Sequence, residues 1–330
     1  MNGGTKSIMR SVRAEAMWIL CRSIAVLPYW FQYYVLLEFI RIVLRYVVRY
    51  RRRLIIRQLS DSFPDKSRAE ILTICHKYYR TLAEMIVNTI TLSGMSERER
   101  ARRVTFHGTA ALQEIIAGRN VVALTSHYGF WEYYTFASLW LTHHRLVVAY
   151  HPIKDPAMDE FYLRLRSMDS VDTVSSKQFM RYYMTHKEGI DGRNIIIGLI
   201  SDQNSPPRGD VHWFRFLNHD TLFFDGGEQL ALKFGLPVFY LELDRIRRGY
   251  YRCEYKMIYD GREPVARHEI TERYVRALEQ TIVRRPELWM WSHNRWKFKR
   301  EVVEQRQRER EQARAQVEAE VRTETERGTR

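Results

Sequence analysis

Asn120-Val-Val-Ala-Leu-Thr-Ser-His-Tyr-Gly-Phe-Trp-Glu132 is the stretch on which the reading of this chain turns. Four apolar residues in succession, without polar alternation, describe a strand buried on both faces, as in a parallel sheet. The run stops at serine, histidine and glycine and gives way to an aromatic segment, Phe130 to Thr142, that reads as a helix. A buried strand followed by a helix is the opening of a crossover unit, and the same alternation recurs downstream. Arg145–Tyr150, Asn194–Ile200, Pro237–Glu242 and Tyr250–Ile258 read as strands, and Asp159–Arg166, Lys177–Lys187, Gly227–Phe234 and Thr271–Val283 as helices. A loop of nearly twenty residues follows Ile200. Upstream, Ser67 is a plausible N-cap for a helix reaching about Thr91, Ser93-Gly94 breaks the chain, and Val104–His107 is a short strand. The expected fold is α/β, a mixed β-sheet flanked by helices, over residues 61–300.

Two flanking segments differ in composition from this body. Residues 1–60 carry eleven Lys/Arg and two acids, so +9 of the chain's net +14 lies there. The longest charge-free run in that segment, Ser23–Leu37, has fifteen residues and contains Pro28, short of a spanning helix. From Tyr33 to Arg53 the sequence reads as one helix, with Arg41, Arg45 and Arg49 four residues apart and apolar residues on the remainder. This pattern fits a helix lying on an anionic membrane surface, and equally an ordinary docked helix with a solvated arginine face. No secretory cleavage pattern is present, so the N-terminus is expected to be retained. The other flank, residues 301–330, is rich in Glu and Arg with almost no apolar stripe, and reads as a helical or disordered tail.

The strand end supplies the chemistry. Sites in open α/β sheets form where strands end, and here His127 stands five residues before Glu132. A histidine acts as general base when a carboxylate fixes its tautomer and shares the charge it acquires, the orienting half of a Ser-His-Asp triad. No G-x-S-x-G elbow accompanies it, so the proton it takes would come from a substrate hydroxyl. A buried, satisfied histidine is the competing reading of these two residues alone. Three dispersed cysteines give neither a disulfide framework nor a metal-ligand spacing, and suit a reducing compartment. His143-His144 and the other histidines form no persuasive ligand set, and no phosphate-cradling glycine loop occurs, so no metal and no cofactor is expected.

Further motifs follow in order. They are Phe63-Pro64 after an arginine-rich helix, Tyr150-His-Pro152, Arg164-Leu-Arg166, Ile200-Ser-Asp-Gln203 and Trp291-Ser-His-Asn-Arg-Trp-Lys297. Together with His127 and Glu132 they make the chain resemble the late acyltransferases of lipid A biosynthesis, within the broader H-x4-D/E acyltransferases. The resemblance spans about residues 27 to 300 and excludes the tail. Two departures stand out: the N-terminus lacks the family's clear spanning helix, and Asn204–Asp210 is longer and richer in proline than the family's pattern.

The resemblance implies transfer of a fatty acyl group from a thioester, on acyl carrier protein or coenzyme A, to a hydroxyl of a lipid A precursor. His127 would be the base and Glu132 its orienting partner. Arg164 would stabilise the tetrahedral oxyanion, with Asp202 positioning it or another basic group. Arg166, Arg208, Arg295 and Lys297 would contact phosphates of donor or acceptor, although each also reads as an exposed or structural residue. Trp213, Phe214, Phe216, Phe223 and Phe224 would line an acyl slot, dip into lipid, or form a packed core under their loop. The implied place is the cytoplasmic face of the inner membrane, peripheral or monotopic. Two other readings stay open: the same chemistry on a glycerophosphate or aminolipid acceptor, and a non-enzymatic basic protein binding membrane or nucleic acid. The second is disfavoured, since the basic residues are interleaved with apolar runs and no nucleic-acid motif is present.

Overall fold

Seven strands order as β1-β9-β8-β2-β5-β3-β4 in the computed structural model, which describes residues 3–167, 171–207, 211–309, 312 and 316. They are β1 (Val104–His107), β2 (Val121–Thr125), β3 (His144–Tyr150), β4 (Val171–Ser175), β5 (Asn194–Ile200), β8 (Val238–Arg247) and β9 (Tyr250–Tyr259). All neighbours pair in parallel except β8 with β9. The short strands β6 (Phe214–Phe216) and β7 (His219–Thr221) form a separate antiparallel hairpin. All five residues of β2 are buried, and the four apolar ones divide between two cores. Val122 and Leu124 face helices α3 (Arg52–Ser62), α4 (Arg68–Leu92), α9 (Gly226–Phe234) and α10 (Glu269–Arg284). Val121 and Ala123 face α6 (Thr109–Ile116) and α7 (Pro156–Arg166).

Local signals set several boundaries. Ser67 caps α4 in a reciprocal capping box with Glu70. Asp155 caps α7, with Pro156 in its first turn. Between them lies α5 (Glu97–Arg103), capped by Ser96, and later comes α8 (Phe179–His186). The buried Glu84 carboxylate of α4 fastens the β8–β9 turn by accepting from the Gly249 amide, the Tyr251 hydroxyl and the Arg245 guanidinium at 2.7–3.0 Å. Gly249 itself has φ +70°, and a Cβ there would lie 2.4 Å from the Tyr33 hydroxyl, so both backbone and space demand glycine.

The structure departs from the sequence expectation in three places. Trp131–Leu139 is a 3₁₀ helix rather than an α-helix, unusually long for that form. Thr135 and Ser138 hydroxyls donate to the carbonyls three residues back, which favours the tighter turn. The long loop folds into the β6–β7 hairpin, whose turn residues Leu217 and Asn218 both have positive φ, and it buries Phe214, Phe216 and Phe223 in the core. Of the open alternatives for these aromatics, packing under the loop holds for those three, while Phe224 is exposed.

The third departure concerns the N-terminal helices. α1 (Gly3–Ala25) packs on α4 and α7, and α2 (Leu37–Ile42), flanked by π-helical turns at Phe31–Leu36 and Val43–Val47, packs on α4. The expected continuous helix to Arg53 ends at Val47, and Arg49 and Arg51 adopt left-handed backbone before α3 begins. Arg41 does not join a solvated stripe. It pairs with Glu38, which also draws in Arg80 and Arg248, while Phe39, Ile42, Tyr46 and Val47 face outward. No helix among the described residues is long and apolar enough to cross a membrane. Residues 300–309 are helical, and most of the remaining tail lies outside the described residues.

Candidate active site

β2 lies between β5 and β8, and the chain leaves it toward β3 on the β5 side while β8 and β9 fill the other side. The carboxyl ends of β2 and β5 therefore border a topological switch point. The register pairs Thr125 with Ile200. Two residues beyond each, His127 and Asp202 meet across the sheet end.

Asp202 is 2% exposed and all its partners are donors. One carboxylate oxygen accepts from the His127 ring Nδ1 at 2.7 Å, the other from the His127 backbone N–H at 2.9 Å and from Trp289 Nε1 at 2.8 Å. Burial alone would raise the pKa of this carboxyl, but the His127 ring and these donors outweigh it and hold the pKa below its ordinary range. An ionised carboxylate only accepts, so Nδ1 carries the ring proton and Nε2 presents a lone pair. That lone pair faces the amide nitrogen of Gln203 at 2.9 Å. Trp131 packs edge-on against the imidazole with ring centroids 4.9 Å apart, fixing the ring plane from the side.

An apolar cavity of about 430 Å³ opens beside His127. Its sheet wall consists of successive register rows: Tyr150, Ile200, Thr125 and Leu241 nearest the histidine, then Val148, Gly198, Ala123 and Phe239, then Leu146, Ile196 and Val121. Small residues at the centre of the middle row, Gly198 and Ala123, leave room, and branched residues with Leu112 and Ile116 of α6 close the far end. At the scale of a 150 Å³ apolar cavity that holds benzene, about 25 Å³ per carbon, this space takes a chain of roughly a dozen carbons or more.

A family model described as bacterial lipid A biosynthesis acyltransferase matches residues 6–298. The chain belongs to that family. It is an acyltransferase acting on lipid A, and no curated protein matches it.

Within this lipid A acyltransferase, the structure places the residues singled out from sequence as follows. His127 stands at the site, but Glu132 does not touch its ring. Glu132 is buried and forms a two-pronged ion pair with Arg166 at 2.6 and 2.8 Å, and accepts from Trp131 Nε1 at 3.2 Å. Both carboxylate oxygens are taken up by Arg166, and the contact of Glu132 toward the imidazole runs through Trp131, which donates to Glu132 and packs on the ring. Arg166 lines the cavity mouth, and its charge is stabilised there by Glu132. Arg164, two residues away on α7, is exposed; it pairs with Glu15 of α1, covers Trp18 at 4.0 Å and does not line the cavity. Asp202 meets His127 rather than an arginine.

Arg295 is also not free for a phosphate. It is 3% exposed, donates to the Leu222 carbonyl at 2.6 Å and lies over the Phe223 ring. Burial brings its pKa down to about 10. Lys297 is exposed and close to Phe298, and Arg208 lies outside the described residues. The Trp291–Lys297 segment is clamped by the Gln58 side chain of α3, which donates to the Trp291 and His293 carbonyls and accepts from the Arg295 amide. Two of its rings, Trp291 and Trp296, pack against Trp289, the indole that donates to Asp202. Asp202 was legible as a partner only through its matching position, two residues past a second buried strand.

Proposed function

We propose that the protein moves a fatty acyl group from a thioester, on acyl carrier protein or coenzyme A, to a hydroxyl of a lipid A precursor, with His127 as general base and Asp202 as its orienting carboxylate. The observation that carries this reading is the His127 ring itself, protonated on Nδ1 by its contact with Asp202 and presenting Nε2 at the mouth of an acyl-sized apolar cavity. A hydroxyl is a weak nucleophile at neutral pH. His127 removes its proton as oxygen attacks the thioester carbonyl, and Asp202 shares the positive charge that develops on the ring. The C–S bond then breaks, and the leaving thiolate takes the proton back from the imidazolium. Glu132 holds Arg166 and Trp131, so it shapes the mouth of the cavity and the plane of the imidazole.

The enzyme works from the cytoplasmic face of the inner membrane, attached peripherally or monotopically. Support comes from the outward apolar residues of the N-terminal helices, Val26, Trp30, Phe39 and Val47 among them, next to the basic run Arg51–Arg53. Apolar side chains in the headgroup boundary and about 1 kcal/mol per basic residue from an anionic surface act together there. The reading is tested with purified protein, an acyl-CoA or acyl carrier protein donor and a lipid A precursor, followed by mass spectrometry. His127→Ala is expected to abolish transfer; transfer at the wild-type rate overturns the reading.

A further inference from the structure

Consecutive residues at the end of β5 hold both ring nitrogens of His127. Asp202 takes Nδ1, and the Gln203 amide stands 2.9 Å from Nε2. The second contact occupies the lone pair that general-base catalysis needs. Unlike Asp202, which is buried, Gln203 is exposed, so its side chain can leave the ring for solvent without opening the core. Its neighbours on either side are tied down: Asp202 by three donors, and Asn204 by its amide to the Asn294 carbonyl at 2.8 Å. The backbone thus presents Gln203 at a fixed place while its side chain stays free to turn.

We propose that Gln203 is a latch on the base: its amide caps Nε2 while the acceptor is absent, and the acceptor hydroxyl displaces it. The inference rests on the general-base reading above. Its consequence is selectivity against water. With donor bound and acceptor absent, a water that reached Nε2 would lose a proton to His127 and attack the thioester carbonyl. The new C–O bond would form, the C–S bond would break, the thiolate would take the proton from the imidazolium, and a free fatty acid and a thiol would result. Water must displace the amide with a single contact of its own. A lipid acceptor is held by many remote contacts, and that binding energy offsets the lost Gln203 hydrogen bond. The latch therefore slows hydrolysis more than transfer.

The test uses the full-length protein with a C12 acyl-CoA, following free thiol with and without a lipid A precursor, for wild type, Gln203→Met and Gln203→Ala. Methionine keeps the length of glutamine and removes the amide; alanine removes the whole reach, so a folding defect in one leaves the other to decide. Removing one net hydrogen bond of about 1 kcal/mol from the base is expected to raise acceptor-free hydrolysis about fivefold. The acceptor KM is expected to fall, and the ratio of hydrolysed to transferred acyl groups to rise. A merely structural residue would not raise hydrolysis while lowering the acceptor KM. Hydrolysis and transfer falling together would overturn the latch and put the amide on the oxyanion instead; unchanged hydrolysis would also overturn it. His127→Ala in the same assay separates the two failures, because transfer that survives it removes the general-base reading itself.

Discussion

Asp202→Asn tests the site most directly, because the carboxamide must choose which of the three donors around Asp202 to satisfy. If its oxygen accepts from Nδ1–H, its NH₂ group faces two buried N–H donors, the His127 amide and Trp289 Nε1. If it turns over, the oxygen satisfies both of those donors and the NH₂ group donates to Nδ1, which moves the ring proton to Nε2. The first arrangement leaves two buried donors unpaired at about 1–3 kcal/mol each, so the second is favoured by about 4 kcal/mol. In that tautomer Nε2 has no lone pair for the acceptor. The base-competent fraction falls about 10³-fold, since each 1.4 kcal/mol is a factor of ten. Loss of the carboxylate charge beside the developing imidazolium brings the expected decrease in kcat to about 10³ to 10⁴. Acyl transfer to a lipid A precursor measures the loss, nitrogen NMR of the imidazole reports the tautomer, and urea unfolding shows whether the fold survives. Asp202→Asn protein that transfers at more than a tenth of the wild-type rate would refute this account of the pair.

Other outcomes follow from the same contacts. Glu132→Gln leaves the buried Arg166 charge without its carboxylate and should cost about 3–5 kcal/mol in urea unfolding, with activity lost secondarily; joining it to Arg166→Met should restore part of the stability, and a purely additive double variant argues against the pair. Gly198→Leu places four side-chain carbons in the middle row of the cavity and should shorten the preferred acyl group by about four carbons, read by mass spectrometry of products from a donor series; an unchanged preference removes the cavity from chain selection. His219 and His293 are pushed down to about 4, chiefly by burial, so between about pH 6.5 and 4 the unfolded chain binds protons that the folded one does not. Stability should therefore fall as pH drops through that window. Glutamine at either position should flatten the fall in melting temperature, and a slope unchanged in both variants would contradict it.

Much of this arrangement is readable along the chain wherever its cause is local. The unbroken Val121–Leu124 run reads as a strand covered on both faces, Ser67 reads as the start of a helix, and His127 falls at a strand end by counting alone. Linear spacing misleads where the partner comes from elsewhere. Glu132 is five residues from His127, yet its carboxylate is taken up by Arg166. Asp202 is 75 residues distant and touches the ring. Arg164 and Arg166 differ by two positions on one helix, and that rotation sends one to Glu15 in solvent and the other to the buried Glu132. Arg41 leaves the solvated face of its helix for a similar reason: it is pulled to Glu38, and Glu38 is itself shared with Arg80 and Arg248 from distant parts of the chain.

By itself the sequence determined the class of fold, the strand end that carries His127 and the resemblance to lipid A acyltransferases. Those features rest on interactions within a few residues, or on the need to bury continuous apolar runs. Tertiary structure alone decided which carboxylate holds the imidazole, which arginine stands at the cavity mouth and how deep the cavity is. Each of those is a distance between strands or helices set by sheet register, and register depends on how the whole sheet is covered rather than on any one stretch.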